Sequence, residues 1–232
     1  MGMMRYDAAF DDATLDTDGS PALPAFGTPE PEPAGQRTAA DWRQRLPVLC
    51  GQGVTLREVQ VEDATALFPQ LTTEEVARFI SRPPSSVAAF EGFIRWSQEQ
   101  RAAGRYACFA VVPAGQTTPV GLFQIRIVDA AQRLAEGGVV FASVSWGTGL
   151  FEAAARLVVE FAFTEMGMRR IEARAALPNL RGNGALRKLG AVREAVLHQS
   201  FERHGERFDQ VLWTILRDDW HVLRAVPRTT VH

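Results

Sequence analysis

The chain has 232 residues, 46% hydrophobic and 22% charged, with a net charge of −2 and a pI near 6.1. These values fit a soluble globular chain of one domain with extensions and exclude a global basic field that would hold nucleic acid or an anionic membrane. No run of about 18 apolar residues predicts a membrane span, and no basic-then-apolar start predicts a signal peptide, so the expected location is the cytoplasm.

Residues 1–37 combine Asp7, Asp11, Asp12, Asp16 and Asp18 with Pro21, Pro24, Pro29, Pro31 and Pro33. Such a segment buries too little apolar surface to offset its ordering entropy, so a flexible acidic, proline-rich tail is expected. Residues 38–53 read as a short helix begun by Thr38 and stopped by Pro47, then a linker. Residues 54–220 carry the dense pattern of a folded domain, and 221–232 read as a C-terminal tail.

Within the domain, Val54–Val59 alternates as a strand. Helical spacing follows over 62–69, and Thr72 to Glu75 reads as a capping box opening a second short helix. Val87–Ala102 is a longer helix ended by Gly104. Strands are expected at 106–112, 120–128 and 139–145, then the chain's strongest amphipathic helix over 149–166. A strand at 170–175, a helix at 183–189 capped by Gly190, and a hairpin of 192–201 with 208–216 turning through His204-Gly205 complete the domain. The order predicts a mixed α/β layer built on one sheet. Cys50 and Cys108 stand apart, and His198, His204, His221 and His232 lack ligand spacing, so neither a disulfide framework nor a metal site is expected.

Trp146-Gly147-Thr148-Gly149-Leu150-Phe151 joins a strand to the strongest helix. Glycines there let backbone approach a ligand closely. The first amides of a helix have no internal partner and carry the positive end of the helix dipole, so they suit phosphate oxygens. A glycine turn chosen only for packing would look the same. Two other phosphate loops are absent from the sequence: the G-x-x-x-x-G-K-[ST] loop and the G-x-G-x-x-G dinucleotide fingerprint.

The turn and helix resemble the Q/R-x-x-G-x-G/A motif of the GNAT acetyltransferases, with Trp146, Gly149 and Phe151 at its first, central and last positions. Downstream, Leu177-Pro178-Asn179-Leu180-Arg181 and Ala185-Leu186-Arg187-Lys188-Leu189-Gly190 resemble the N-x-x-S-x-x-x-L-x-K-L-G element of the RimJ/RimL-like branch. Upstream, Leu56-Arg57 with Glu62-Asp63-Ala64 resembles that branch's L-R-x-x-x-x-x-D-A opening. Glu194, Gly205, Asp209 and Arg217-Asp218-Asp219-Trp220 resemble its closing hairpin. The resemblance spans about Val54 to Trp220.

It implies a GNAT fold: a mostly antiparallel central sheet flanked by helices, with a V-shaped splay between the fourth and fifth strands. It implies acetyl-CoA as co-substrate, no metal, and an amine acceptor on a peptide N-terminus or a small molecule, in a monomer or homodimer. Amides from Trp146 through Gly147, Thr148, Gly149 and Leu150 to Phe151 would hold the pyrophosphate. The pantetheine arm would lie in the splay beside Phe141 and Ala142, with Asn179 beyond it; a turn-forming role for Asn179 is the alternative. Arg181, Arg187 and Lys188 are either phosphate contacts or solvated surface. The amine would attack the thioester directly, with a backbone amide near Phe141 to Ser143 as oxyanion donor. Glu136 is the candidate base, its alternative a solvated glutamate beside Gly137-Gly138.

Three positions depart from the family pattern: Phe151 replaces Gly or Ala, Gly182 replaces Ser, and Trp213 replaces a common Tyr. An indole cannot protonate a leaving thiolate, so Ser143, Ser200 or solvent is left as the acid. Asp209 is expected on the acceptor side, as an anchor for a cationic amine or as a turn-side hydrogen-bonding residue. A non-catalytic acyl-CoA-binding regulatory module, and a scaffold whose tail binds a partner, are the alternative functions.

Overall fold

The computed structural model describes residues 41–220. The strands are β1 (Leu49–Gly51), β2 (Val54–Glu58), β3 (Tyr106–Pro113), β4 (Gly121–Asp129), β5 (Leu134–Phe141), β6 (Arg170–Ala176), β7 (Val192–Arg203) and β8 (Glu206–Leu216). The helices are α1 (Asp63–Leu71), α2 (Glu74–Ala77), α3 (Val87–Ala102), α4 (Leu150–Thr164) and α5 (Leu180–Leu189). All eight strands form one sheet in the order β1-β2-β3-β4-β5-β6-β8-β7. Every adjacent pair is antiparallel except β5 and β6, which run parallel.

Helices cover both faces of the first half of the sheet. In β3 the run from Tyr106 to Val112 is wholly buried, as expected of a central strand packed on both sides. The stripe of α4, with Ala154, Val158 and Phe161, lies on one face; Phe161 meets Phe109 edge to face at 5.1 Å. On the other face α3 buries Phe90, Phe93 and Ile94, and its Trp96 meets Tyr106 at 5.1 Å. Arg57 and the buried Asp63 form a two-pronged ion pair, both contacts 2.7 Å, and Asp63 Oδ2 also accepts from the Gln60 amide at 2.8 Å. The L-R…D-A motif thus clamps the exit of β2 to the start of α1. Among the described residues no helix is long and apolar enough to cross a membrane.

Four local expectations are corrected. The strand placed at 139–145 runs from Leu134 to Phe141; Gly137 and Gly138 stay in register with Ile125 and Gln124. Ser143–Ser145 then forms a 3₁₀ turn, because the Ser145 and Trp146 amides bond back to Ala142 O and Ser143 O. The short helix before Pro47 is, in its described part, a turn at Asp41 that buries Trp42 against Phe161. The linker contains strand β1, so the splayed pair is the fifth and sixth strands by count. The capping box does not form: the Thr72 hydroxyl donates to Phe68 O and closes α1, and Thr73 precedes α2 without a side-chain cap. The expected tails at 1–37 and 221–232 lie outside the described residues.

Candidate active site

β5 and β6 pair over only three positions, Leu134–Arg170, Ala135–Ile171 and Glu136–Glu172, and then part. Beyond them β5 stays paired to β4 through Phe141, and β6 stays paired to β8 through Ala176. Their facing edges are open, and unpaired backbone amides and carbonyls invite an extended ligand. Side chains occupy carbonyls at the mouth. Trp146 Nε1 donates to Phe141 O at 3.1 Å, and Asn183 Nδ2 donates to Ala176 O at 2.9 Å.

At the end of β5 the chain turns into α4 through Gly147 and Gly149, with φ of 79° and 82°. Both angles lie in the left-handed region, which L side chains adopt at a cost. A Cβ on either glycine would meet no protein atom within 4 Å. Packing therefore does not demand these glycines; what they leave is open space in front of the first amides of α4. The Leu150 amide has a weak contact to Thr148 Oγ1 at 3.4 Å. The cavity there, about 520 Å³, is walled by Phe141, Trp146, Gly147, Gly149 and Phe151, by Glu152, which is paired with Arg156, and, from α5, by Arg181, Arg187 and Lys188. A helix start, bare amides and three cations are the features that fit a pyrophosphate. The large Phe151 ring does not crowd this opening: it packs inward on Phe123 at 5.7 Å and Phe141 at 6.3 Å.

Asn179 is buried and caps α5, its Oδ1 accepting from the Gly182 amide at 2.9 Å. With the side chain in this position, a Cβ on Gly182 would lie 2.6 Å from Asn179 Nδ2, so a larger residue there would shift the cap. Trp213, 7% exposed, donates its indole N–H to Asn183 Oδ1 at 2.8 Å. Asn183 in turn donates to Ala176 O and Asn179 O. Trp213 thus braces the start of α5 against β6.

Glu136 stands on the last paired position before the strands part. It bonds Arg126 of β4 through Oε2, and Arg174 of β6 approaches Oε1 at 3.6 Å. The row continues through Glu172 to Arg170, and from Arg170 to Glu194 on β7 at 2.6 Å. Bonding to Glu194 raises the Arg170 pKa, and the same bonds hold the Glu194 carboxyl below its ordinary range. Ser143 is exposed at the start of the 3₁₀ turn.

Ser200 sits at a bulge in β7, where the register against β8 shifts between Leu197 and Phe201, and Asp209 faces that bulge from β8. Asp209 accepts from the Gln199 amide at 2.9 Å, which holds its carboxyl low with help from His198 at 3.1 Å. The Ser200 hydroxyl contacts Leu197 O and Gln210 Oε1. Nearby, a larger cavity of about 920 Å³ opens between α2 and the β7–β8 turn. Glu74, Glu75, Arg78 and Phe79 wall one side; Arg203, His204, Glu206 and Phe208 wall the other; Trp146 and Asn179 to Arg181 lie between it and the first cavity. Sequence reasoning did not select Arg78 or Arg203. The legible signal was partial: a two-residue turn at His204-Gly205 sets Arg203 opposite Glu206.

A strand pair that parts, a glycine cradle at its open end and a cavity across the mouth define an enzyme that transfers a group from a long, phosphate-bearing carrier. The family model described as acetyltransferase (GNAT) domain matches residues 54–192, and the chain belongs to that family. It is an acetyl-CoA-dependent N-acetyltransferase. It is 22% identical over 176 residues to the uncharacterized N-acetyltransferase p20 of Bacillus licheniformis, covering 75% of this chain and 99% of that protein. The fold matches a GNAT-family acetyltransferase from Bacillus anthracis with a TM-score of 0.66 at 20% identity, covering 74% and 99% of the two chains. It also matches the microcin C7 self-immunity acetyltransferase MccE, solved with acetyl-CoA and AMP, at a TM-score of 0.64 and 17% identity, covering 71% and 93%.

Proposed function

We propose that the chain acetylates a primary amine that enters through the cavity between α2 and the β7–β8 turn, and that it is of the RimJ/RimL-like kind its motifs resemble. The observation that carries this reading is the parting of β5 and β6 beside that cavity, with the cradle at the open end. Acetyl-CoA supplies an activated thioester, so the protein's work is orientation and charge stabilisation. The amides from Gly147 to Phe151 hold the pyrophosphate, with Arg181, Arg187 and Lys188 around it. The open edges of β5 and β6 take the pantetheine amides. The Ala142 amide is committed to Val120 O at 2.8 Å, so the oxyanion falls to that of Phe141 or Ser143. Asn179 acts by fixing the first turn of α5.

We assign proton acceptance to Glu136, relayed by water, since it is the β5 carboxylate at the point where the strands part. Arg126 and Arg174 hold and orient it for that relay. The thiolate takes its proton from Ser143 or solvent. Thiol release from acetyl-CoA against a panel of amines and peptide N-termini tests the whole reading; the absence of both turnover and calorimetric binding of acetyl-CoA would overturn it. For Glu136→Gln, the expected result is a loss of kcat/KM that shrinks at alkaline pH, where the acceptor amine is already neutral and needs no base. An unchanged pH–rate profile removes Glu136 from the mechanism.

A further inference from the structure

We infer that the acceptor is a small amine that also carries an anionic group, a carboxylate or a phosphate, and that Arg203 receives that group with Arg78 facing it across the cavity. The inference rests on the acetyl-transfer reading for the fate of the amine, and on separate observations for the anion. The cavity, about 920 Å³, is of the size that encloses small molecules. Its walls carry three arginines, and they are not equivalent. Arg181 is engaged: its guanidinium lies 3.8 Å over the Trp146 ring and 3.9 Å from Glu75. Arg78 lies 5.4 Å over Phe79 and has no ion pair among the described residues. Arg203 has no ion pair there either, and its Nε is fully buried without a hydrogen bond.

Elsewhere the half-buried arginines meet carboxylates: even Arg174, whose Nε is likewise buried without a hydrogen bond, lies 3.6 Å from Glu136. Arg57, Arg101, Arg126 and Arg170 each sit on a carboxylate. Removing a guanidinium from water without an anion is unfavourable, and burial alone pushes the Arg203 pKa down. Glu206 stands opposite Arg203 in the ladder yet makes no ion pair with it. A cation whose Nε is buried and unbonded on a cavity wall is satisfied when a ligand brings the negative charge. Arginine suits that task, because its planar fork matches carboxylate and phosphate oxygens in pairs. Glu74 and Glu206, also without ion pairs among the described residues, line the same cavity and complement an ammonium on the same molecule.

The test uses the full chain, acetyl-CoA and matched acceptors: amino acids against their amides, and aminoalkyl phosphates against the corresponding amino alcohols. The anionic member of one series is expected to have a kcat/KM about 100-fold above its neutral partner, and which series responds separates carboxylate from phosphate. Arg203→Ala should raise KM for the anionic member about 10- to 100-fold and leave the neutral member and acetyl-CoA unchanged. Arg203→Lys should restore part of the loss. Calorimetry of the same matched ligands on the free protein and on CoA-saturated protein reads anion preference without turnover. Neutral and anionic members binding and reacting equally well on the wild-type protein would overturn the inference, with no variant needed. Failure to bind acetyl-CoA would instead strike the acetyl-transfer reading, while the calorimetric preference would still judge the anion site.

Discussion

The glycine turn at 146–151 and the cavity wall at 203–208 offer a ligand opposite kinds of contact. The cradle offers backbone: two glycines in the left-handed region, a helix start and few committed amides. The wall offers side chains, and its character depends on which charges lack partners. A backbone site is written in consecutive residues, because turn, helix start and absent Cβ all belong to one hexapeptide. A side-chain site is assembled from α2 and the β7–β8 turn, more than 120 positions apart in the chain. The first can therefore be shared across a family while the second varies with each acceptor.

The largest expected effect breaks the cradle while leaving the wall alone. Gly149→Val puts a branched side chain into the space before α4 and should weaken acetyl-CoA binding more than about 100-fold, about 3 kcal/mol. It also strains the backbone at φ 82°, by about 1–2 kcal/mol. Gly205→Val supplies the control. Its φ is 79° and a Cβ there also meets nothing within 4 Å, so it bears similar strain on the other wall. Acetyl-CoA affinity by calorimetry should fall for the first variant and hold for the second. An equal loss in both would mean that strain alone, not cradle geometry, governs binding.

Next come two braces that differ in their distance from the ligands. Asp63→Ala strips the partner from Arg57, whose side chain is 30% exposed. It should destabilise the fold by about 2 kcal/mol, less than a fully buried pair would lose. The matching fall in Tm is about 4–8 °C, with cofactor affinity retained. Trp213→Phe keeps the ring but leaves Asn183 Oδ1 without its donor. The expected loss is about 1–2 kcal/mol, and here KM for acetyl-CoA should rise as well, because the start of α5 loosens. Thermal melts paired with KM values separate the two braces.

The same contrast explains what the sequence made legible. The cradle, the long helix, the Arg57–Asp63 motif and the closing hairpin each rest on residues close in sequence, and each is found in place. The parting of the strands was legible only through family resemblance, because nothing local in 134–141 or 170–176 announces that pairing stops after Glu136. Asn179 was read either as touching the cofactor or as a turn former, and its side-chain oxygen caps α5. One carbonyl oxygen serves a helix cap or a ligand equally well, and only the backbone path decides. Arg203 was invisible for a related reason. A missing counter-charge is a fact about every neighbouring element, not about the arginine.

The smallest expected effect sharpens the comparison on the wall itself. Asp209 holds the β7 bulge through the Gln199 amide and His198, and its side chain is partly exposed. These bonds lower its folded-state pKa, so the carboxylate contributes stability above the ordinary aspartate range. That contribution is lost as pH falls through the lowered value. Asp209→Ala should therefore narrow the stability difference between neutral and acid pH slightly, with the two proteins converging in strong acid. If Asp209 serves only the bulge, the variant should leave the matched-pair preference for anionic acceptors intact, since that preference belongs to Arg203. If it anchors the ammonium, KM should rise for anionic and neutral acceptors alike. Acceptor KM values at neutral pH, set beside melts across the acid range, distinguish a residue that shapes the wall from one that touches what the wall binds.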